Sequence, residues 1–524
     1  MSGLDRPDIP LKSIYMKKLN QLLWLSTATV LFSLSSCTDG FEEESDFDSG
    51  VHNKQLTSPT EAVAKKITAS DGSDQYEVSW PVIKGAGGYS VNVSIYDDPA
   101  NPEQYQDTIV DGCSFTFGIK EDTKYRVLIK TLANSHWKKT SNKDAAEASS
   151  FVFDTAIPAT KIPEGTDIAK FINDFFAAHP DMAIADNEVA FELETGKNYT
   201  LDTLVNTTVA NVILRGDKVH RSLVTLGSYG GFSIYGGFKI KYLNFDCSEA
   251  TKNNGILNMG SEAIEELHYA YSDGANTNYH DVNTILVQDC IFKSVPNGFI
   301  ADGGLAWCVK DFRIKDSYIE QNPSDSKLSS TGAPFIDFTH GGISFMNITF
   351  TNSTLVNLKK TAAYFMRFSN GSNSSMKKAY GSAYAQGTND ISRNVSRFKM
   401  ENCTLIRCTA KGQFGNNCWT TGSWTTIDWK KCIFYDCNLL QKLVRSLPCD
   451  FNNGNNTAWQ VTSTMDETDK NKFVTEDNPV FAGGNPEEDV IAGYDFAQPN
   501  GGLNYKPTSG MAAENNFGDS RWLE

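Results

Sequence analysis

Sugars present flat faces of C–H groups that stack on aromatic rings, so Trp and Tyr carried on loops are the side chains best placed to hold one. Two stretches supply them. Residues 369–394 are rich in Ser, Gly and Asn and carry Tyr380 and Tyr384 beside Lys377 and Lys378. A Gly, Asn and Thr-rich loop carries Trp419 and Trp424. Loops on a rigid scaffold are where binding residues concentrate, which makes these four rings candidate sugar-binding residues; for Trp419 and Trp424 packing is the competing reading. Trp429 occupies an apolar position of a repeated motif and is read as core. Cysteine is the second reactive set: Cys403 and Cys408 lie five apart, as do Cys432 and Cys437. Buried thiols suit an interior ladder. Disulfide or metal is the alternative, although the short C-x2-C pairs of zinc sites are missing here.

What must position these residues is a repeat. Val287-Gln288-Asp289-Cys290-Ile291-Phe292, Ile314-Lys315-Asp316-Ser317-Tyr318-Ile319, Phe350-Thr351-Asn352-Ser353-Thr354-Leu355, Met400-Glu401-Asn402-Cys403-Thr404-Leu405 and Trp429-Lys430-Lys431-Cys432-Ile433-Phe434 can be laid over one another. Each reads apolar, polar, polar, small, variable, apolar. The Ser or Cys positions are 27, 36, 50 and 29 residues apart, a constant motif with variable insertions, as a solenoid gives and a four-stranded propeller blade does not. A second strand signal follows each motif, as in Gly298-Phe299-Ile300-Ala301-Asp302, Pro334-Phe335-Ile336-Asp337-Phe338 and Tyr364-Phe365-Met366-Arg367-Phe368.

Ahead of the repeat, Ile168, Phe171, Ile172, Phe175 and Phe176 have the spacing of one helical stripe with Thr166 or Asp167 as cap, predicting a helix over 167–178. Residues 57–156 instead alternate apolar and polar in short runs divided by turns, as in Tyr76–Trp80, Tyr89–Ile95 and Lys124–Lys130, which predicts half-buried strands. The placing of Trp80 and Tyr125 resembles a fibronectin type III sandwich.

The amphipathic helix, the Val212-Ile213-Leu214-Arg215-Gly216-Asp217 run and the rungs resemble a pectin-lyase-like solenoid. With the closing F-G-D-x-R-W of Phe517–Trp522, they resemble Bacteroidetes surface lipoproteins in which domains of unassigned function accompany a pectate-lyase-like β-helix. The resemblance implies an all-β chain: a right-handed parallel β-helix over 160–460, preceded by the β-sandwich and closed by a C-terminal cap over 461–524. It also implies a calcium-dependent polysaccharide lyase as one activity. Asp302, Asp311 and Asp337 are then candidate calcium ligands, Arg367 the candidate base, and His340 a further catalytic candidate. The family's W-I-D-H and R-x-P-x-x-R runs are missing; Phe335-Ile336-Asp337-Phe338-Thr339-His340 is the nearest piece. The alternative for these residues is the capping of turns between strands.

At the front, Lys17 and Lys18 precede an apolar stretch ending in Leu34-Ser35-Ser36-Cys37, the pattern of a secretory signal whose cysteine receives lipid. Residues 1–37 are therefore expected to be an upstream extension plus signal peptide, with Cys37 lipidated. Residues 38–56, carrying Asp39, Glu42, Glu43, Glu44, Asp46 and Asp48, are an acidic tether; the run resembles the export signal of lipoproteins destined for the outer face of the Bacteroidetes outer membrane. A formal charge of −16 argues against nucleic acid as a partner, since nothing in the sequence supplies the clustered Lys and Arg that phosphates require. An acidic glycan would need a local cation. The expected function is a surface lipoprotein that binds or processes a polysaccharide, pectin-like in type, and feeds an outer-membrane importer. The lyase and a purely structural scaffold are the alternatives. The missing lyase runs favour binding, and the fold resemblance favours an enzyme.

Overall fold

The computed structural model describes residues 50–136, 138–269, 278–324, 333–339, 344–359, 364–368, 379, 397–409, 413–416, 426–437, 449–450, 456–459, 474–475, 477–488 and 490–523. Among the described residues the regular structure is nearly all β-strand, and the chain divides into two units, residues 1–156 and 157–524.

In the first unit the strands Val63–Thr68, Asp74–Ser79 and Ser114–Gly118 form one antiparallel sheet, and Glu103–Val110, Gly88–Ile95, Lys124–Leu132 and Ser149–Asp154, in that order, form another. Period-two alternation puts Val78, Val91, Val93, Val127 and Ile129 in a shared core, because successive side chains of a strand leave opposite faces. Trp80 meets Tyr89 edge to face at 5.3 Å. The Tyr125 hydroxyl accepts the Lys120 N–H at 2.7 Å.

The second unit opens with the helix Ile168–Ala178, capped by the Asp167 carboxylate, which accepts the Lys170 N–H at 2.7 Å. It buries Ile168, Ile172 and Phe176, and Phe175 meets Phe191 at 5.1 Å. Beyond it, among the described residues, lie three sheets of eleven, ten and seven strands. Apart from one short antiparallel pairing of His268–Tyr269, all their neighbours are parallel, and the chain visits the three in rotation. Thus Asn278–Gln288 of the eleven-stranded sheet leads to Ile291–Val295 of the ten-stranded sheet and to Gly298–Ala301 of the seven-stranded one.

The repeated motif is the corner between the first two of these sheets. Its third residue turns the chain in the left-handed region: φ is 52° at Asp289, 51° at Asp316, 46° at Asn352, 52° at Asn402 and 54° at Lys431. Asp and Asn tolerate that conformation better than other side chains. The small fourth residue points into the corner and ties neighbouring turns: Cys290 N–H donates to Ser317 Oγ at 3.1 Å and Ser317 N–H to Ser353 Oγ at 3.2 Å. Cys403, Cys408, Cys432 and Cys437 are free, buried thiols. Burial pushes the Cys403 and Cys408 thiols well above their usual range. On the strands that follow, Phe299, Phe335, Phe365 and Phe414 stack at successive centroid distances of 5.1, 5.0 and 4.6 Å.

The described part of the C-terminal segment packs against the outward side of the ten-stranded sheet. Phe292, Ile319, Leu355, Leu405 and Phe434 point to the interior of the stack. Their neighbours Ile291, Tyr318, Val356, Ile406 and Ile433 face the other way and form a second core with Phe481, Tyr505, Ala512 and Phe517. From Ile291–Val295 to Cys432–Tyr435 the ten-stranded sheet is therefore buried on both faces. The physical reason is the apolar content of its outward positions, which need a cover of their own.

Candidate functional site

The closing F-G-D-x-R-W run fixes this cover to the sheet. Gly518 adopts φ 88° and approaches so closely that a Cβ there would lie 2.7 Å from Thr404 Oγ1. The fully buried Asp519 accepts the Thr354 hydroxyl at 2.7 Å, and its N–H donates to Thr404 Oγ1 at 3.1 Å. Arg521 pairs with Asp519 through Nε and Nη2. The same guanidinium donates to the carbonyls of Asp316 and Ser317, both at 2.9 Å. Trp522 Nε1 donates to Thr354 Oγ1 at 2.7 Å.

Where this segment faces the corner, it leaves a cavity of about 400 Å³, within the size range of small-ligand sites. Lys218, Val219 and Arg221 come from the turn between Asn211–Arg215 and Leu223–Leu226; Asn244, Asp289, Ile291 and Tyr318 come from the corner and the ten-stranded sheet; Tyr494, Asn500, Arg521 and Trp522 come from the C-terminal segment. The Asp217 carboxylate shapes the turn by accepting the N–H groups of Val219 and His220 at 2.9 and 2.8 Å. Arg221 Nη2 pairs with Asp289 Oδ1. The Lys218 ammonium lies 5.5 Å from the centre of the Tyr242 ring, and the Tyr318 and Tyr494 rings lie 5.1 Å apart. The cleft thus combines rings, amides and cations, the groups that hold an oxygen-rich ligand.

Of the residues expected to bind calcium, Asp302 and Asp337 adjoin, the Asp302 N–H donating to the Asp337 carbonyl at 3.2 Å, while Asp311 lies on another sheet. Asp337 and Arg367 are in register on adjacent strands of the seven-stranded sheet, so their side chains leave it on the same side. Asp337 accepts the Thr339 hydroxyl at 2.5 Å, and Arg367 lies 5.8 Å from the Tyr364 ring centre. Asp302 is fully buried and caps a turn by accepting the Gly304 N–H at 3.1 Å. Asp311 belongs to the eleven-stranded sheet, where it pairs with Arg313 at 2.7 Å and accepts the Thr284 hydroxyl at 2.9 Å. Calcium asks for six to eight oxygens around one point. Among the described residues no three acidic, His or Cys groups converge to hold a metal. His340, Tyr380, Tyr384, Trp419, Trp424 and Cys37 lie outside the described residues.

The chain carries two domains of unknown function. A family model described as a domain of unknown function, DUF4992, matches residues 12–196. A second, a domain of unknown function named DUF4957, matches residues 197–358. No curated protein matches the chain. The junction of the two matches falls at the turn between the strands Glu188–Leu193 and Asn198–Leu201, inside the second structural unit. The first match therefore takes in the two antiparallel sheets, the helix and the strands Thr160–Ile162 and Glu188–Leu193; the second takes in the strands that follow, including Lys218, Arg221, Asp289 and Tyr318 of the cleft.

Beneath the cleft's tyrosines sits Glu320, whose burial holds its carboxyl above the usual carboxylate range. This is so even though it accepts the Tyr494 N–H at 2.6 Å, the Tyr318 hydroxyl at 3.0 Å and the Ser294 N–H at 3.2 Å. A folded pKa above the unfolded one means that Glu320 contributes most to stability when protonated, below about pH 4.3. That contribution falls as pH rises through the folded value. Glu320→Gln is expected to flatten the acid-to-neutral decline in denaturation free energy relative to the wild type. Parallel curves for the two proteins would refute the assignment.

Proposed function

We propose that the chain is a lipid-anchored protein of the outer membrane surface, held through Cys37, that binds a polysaccharide for uptake by an outer-membrane importer. In this reading the second unit is a right-handed parallel β-helix, a reading supported by the parallel sheets visited in rotation. The first unit is a fibronectin type III-like spacer. Its support is the pair of antiparallel sheets and the Tyr125 hydroxyl that reaches back to the Lys120 N–H, as in a tyrosine corner. One observation carries the binding function: a cleft of about 400 Å³ lined by Tyr318, Tyr494, Trp522, Asn244 and Asn500 together with cations. Affinity gels containing a panel of neutral and acidic glycans test it on the chain from residue 38 onward. Retardation by at least one glycan, weakened several-fold by Tyr494→Ala, is the expected result. Migration unchanged by every glycan would reject the proposal.

A second reading rests on the register of Asp337 and Arg367. A carboxylate and an arginine leaving one face of a sheet side by side could serve β-elimination on a uronate: Arg367, as the neutral guanidine, would take the proton beside the carboxyl group while the glycosidic C–O bond on the next carbon breaks, the leaving oxygen takes a proton from water, and a C=C bond forms between the two carbons. Its product carries a new C=C bond that absorbs in the ultraviolet. Product that forms with the wild type and is abolished in Arg367→Ala would establish this reading over binding alone.

A further inference from the structure

The charge of the cleft opposes that of the chain. Against a net −16, its lining presents Lys218, Arg221 and Arg521 and a single carboxylate, Asp289. The cations do not play equal parts. Arg521 spends Nε, Nη1 and Nη2 on Asp519 and on the carbonyls of Asp316 and Ser317, so it shapes the wall. Arg221 meets Asp289 through Nη2 to a single carboxylate oxygen, one contact from a group with five N–H donors arranged for two-point binding of a carboxylate. Its side chain is 21% exposed and that of Asp289 28%, which puts the pair at the mouth of the cleft, where salt screens it less than an open surface pair.

We infer that the cleft selects an anionic sugar, a hexuronate unit whose carboxylate is received by Arg221 and Lys218 while its ring packs against Tyr494 and Trp522. The inference rests on the reading of the cleft as a glycan site and specifies its ligand class. In it Asp289 acts as an internal competitor that holds Arg221 in place and yields it to the incoming carboxylate. Asp289 is also the left-handed corner residue, at φ 52°, and asparagine fills the equivalent corners at Asn352 and Asn402. Asp289→Asn therefore removes the competing charge while keeping a residue the turn accepts.

Calorimetry on the full chain would compare a galacturonic acid oligosaccharide, a neutral galactose oligosaccharide of the same length and a sulfated one. The uronate oligosaccharide is expected to bind tightest. Arg221→Gln should weaken it about tenfold and Asp289→Asn should strengthen it several-fold, each by more than the same substitution changes the neutral affinity. A neutral oligosaccharide bound as tightly as the uronate, a preference for the sulfated one, or a uronate affinity indifferent to both substitutions would overturn the inference and leave the glycan site standing. Binding of none of the three would remove the site as well. Should Arg221→Gln fail to fold, Asp289→Asn decides alone, because the inference requires its affinity to rise.

Discussion

Arg521→Ala is expected to release the C-terminal segment from the ten-stranded sheet at a cost of about 3–5 kcal/mol, the range for removing one partner of a buried ion pair. The Asp519 carboxylate is fully buried and its charge is met by the Arg521 guanidinium. Without that guanidinium the carboxylate keeps the Thr354 hydroxyl at 2.7 Å and the Arg521 backbone N–H at 3.1 Å, which cannot offset a full charge. The carbonyls of Asp316 and Ser317 lose their donors in the same step. Denaturation followed by ring fluorescence, together with limited proteolysis of residues 477–523, would measure the effect. The double variant Arg521→Met with Asp519→Asn should regain much of the loss, because both charges leave together. A single-variant cost below about 1 kcal/mol, at the level of an exposed pair, would mean that the closing motif does not hold the segment. The same variant should abolish glycan binding, since Arg521 and Trp522 wall the cleft.

The parts of this architecture that repeat were legible because repetition imposes the same local chemistry many times. Each corner needs a residue that accepts positive φ followed by one small enough to sit inside the bend. Asp289-Cys290, Asp316-Ser317, Asn352-Ser353 and Asn402-Cys403 announce that need in the sequence. Lys431-Cys432 obeys the geometry with a residue that does not advertise it. The helical stripe from Ile168 to Phe176 was equally readable, because one apolar face at 3.6-residue spacing has to be buried against something.

The cleft was not legible, and the reason is distance along the chain. Lys218 and Trp522 line one cavity although three hundred residues separate them, and no local periodicity encodes which rung a C-terminal segment will lie upon. The clue available was the closing F-G-D-x-R-W run, whose density of glycine, ion-pairing and indole groups reads equally as an end cap. Where the acidic residues sit was not legible either: Asp337 is in register with Ala301, and Asp302 lies one residue beyond the strand that ends there.

Phe365→Ala is expected to cost about 3–5 kcal/mol, the range for emptying a buried phenylalanine site, and its pattern matters as much as its size. The Phe365 ring is stacked between Phe335 at 5.0 Å and Phe414 at 4.6 Å, and meets Phe350 edge-on at 6.2 Å. Its removal therefore opens contacts on both sides at once. In a stacked array each turn touches mainly its neighbours, so the loss should be local. Amide exchange should accelerate in Ile336–Phe338, Tyr364–Phe368 and Gln413–Asn416, with the two antiparallel sheets of residues 50–156 unaffected. A cost under about 1.5 kcal/mol, or exchange raised evenly through both units, would contradict the stack. The perturbed strands carry Asp337 and Arg367, whereas the cleft is built on the ten-stranded sheet and the turn at residues 216–222. Phe365→Ala should consequently leave glycan binding intact if the cleft is the site, and should abolish product formation if chemistry occurs beside Arg367. A core substitution that touches neither set of side chains thereby separates the two functional readings.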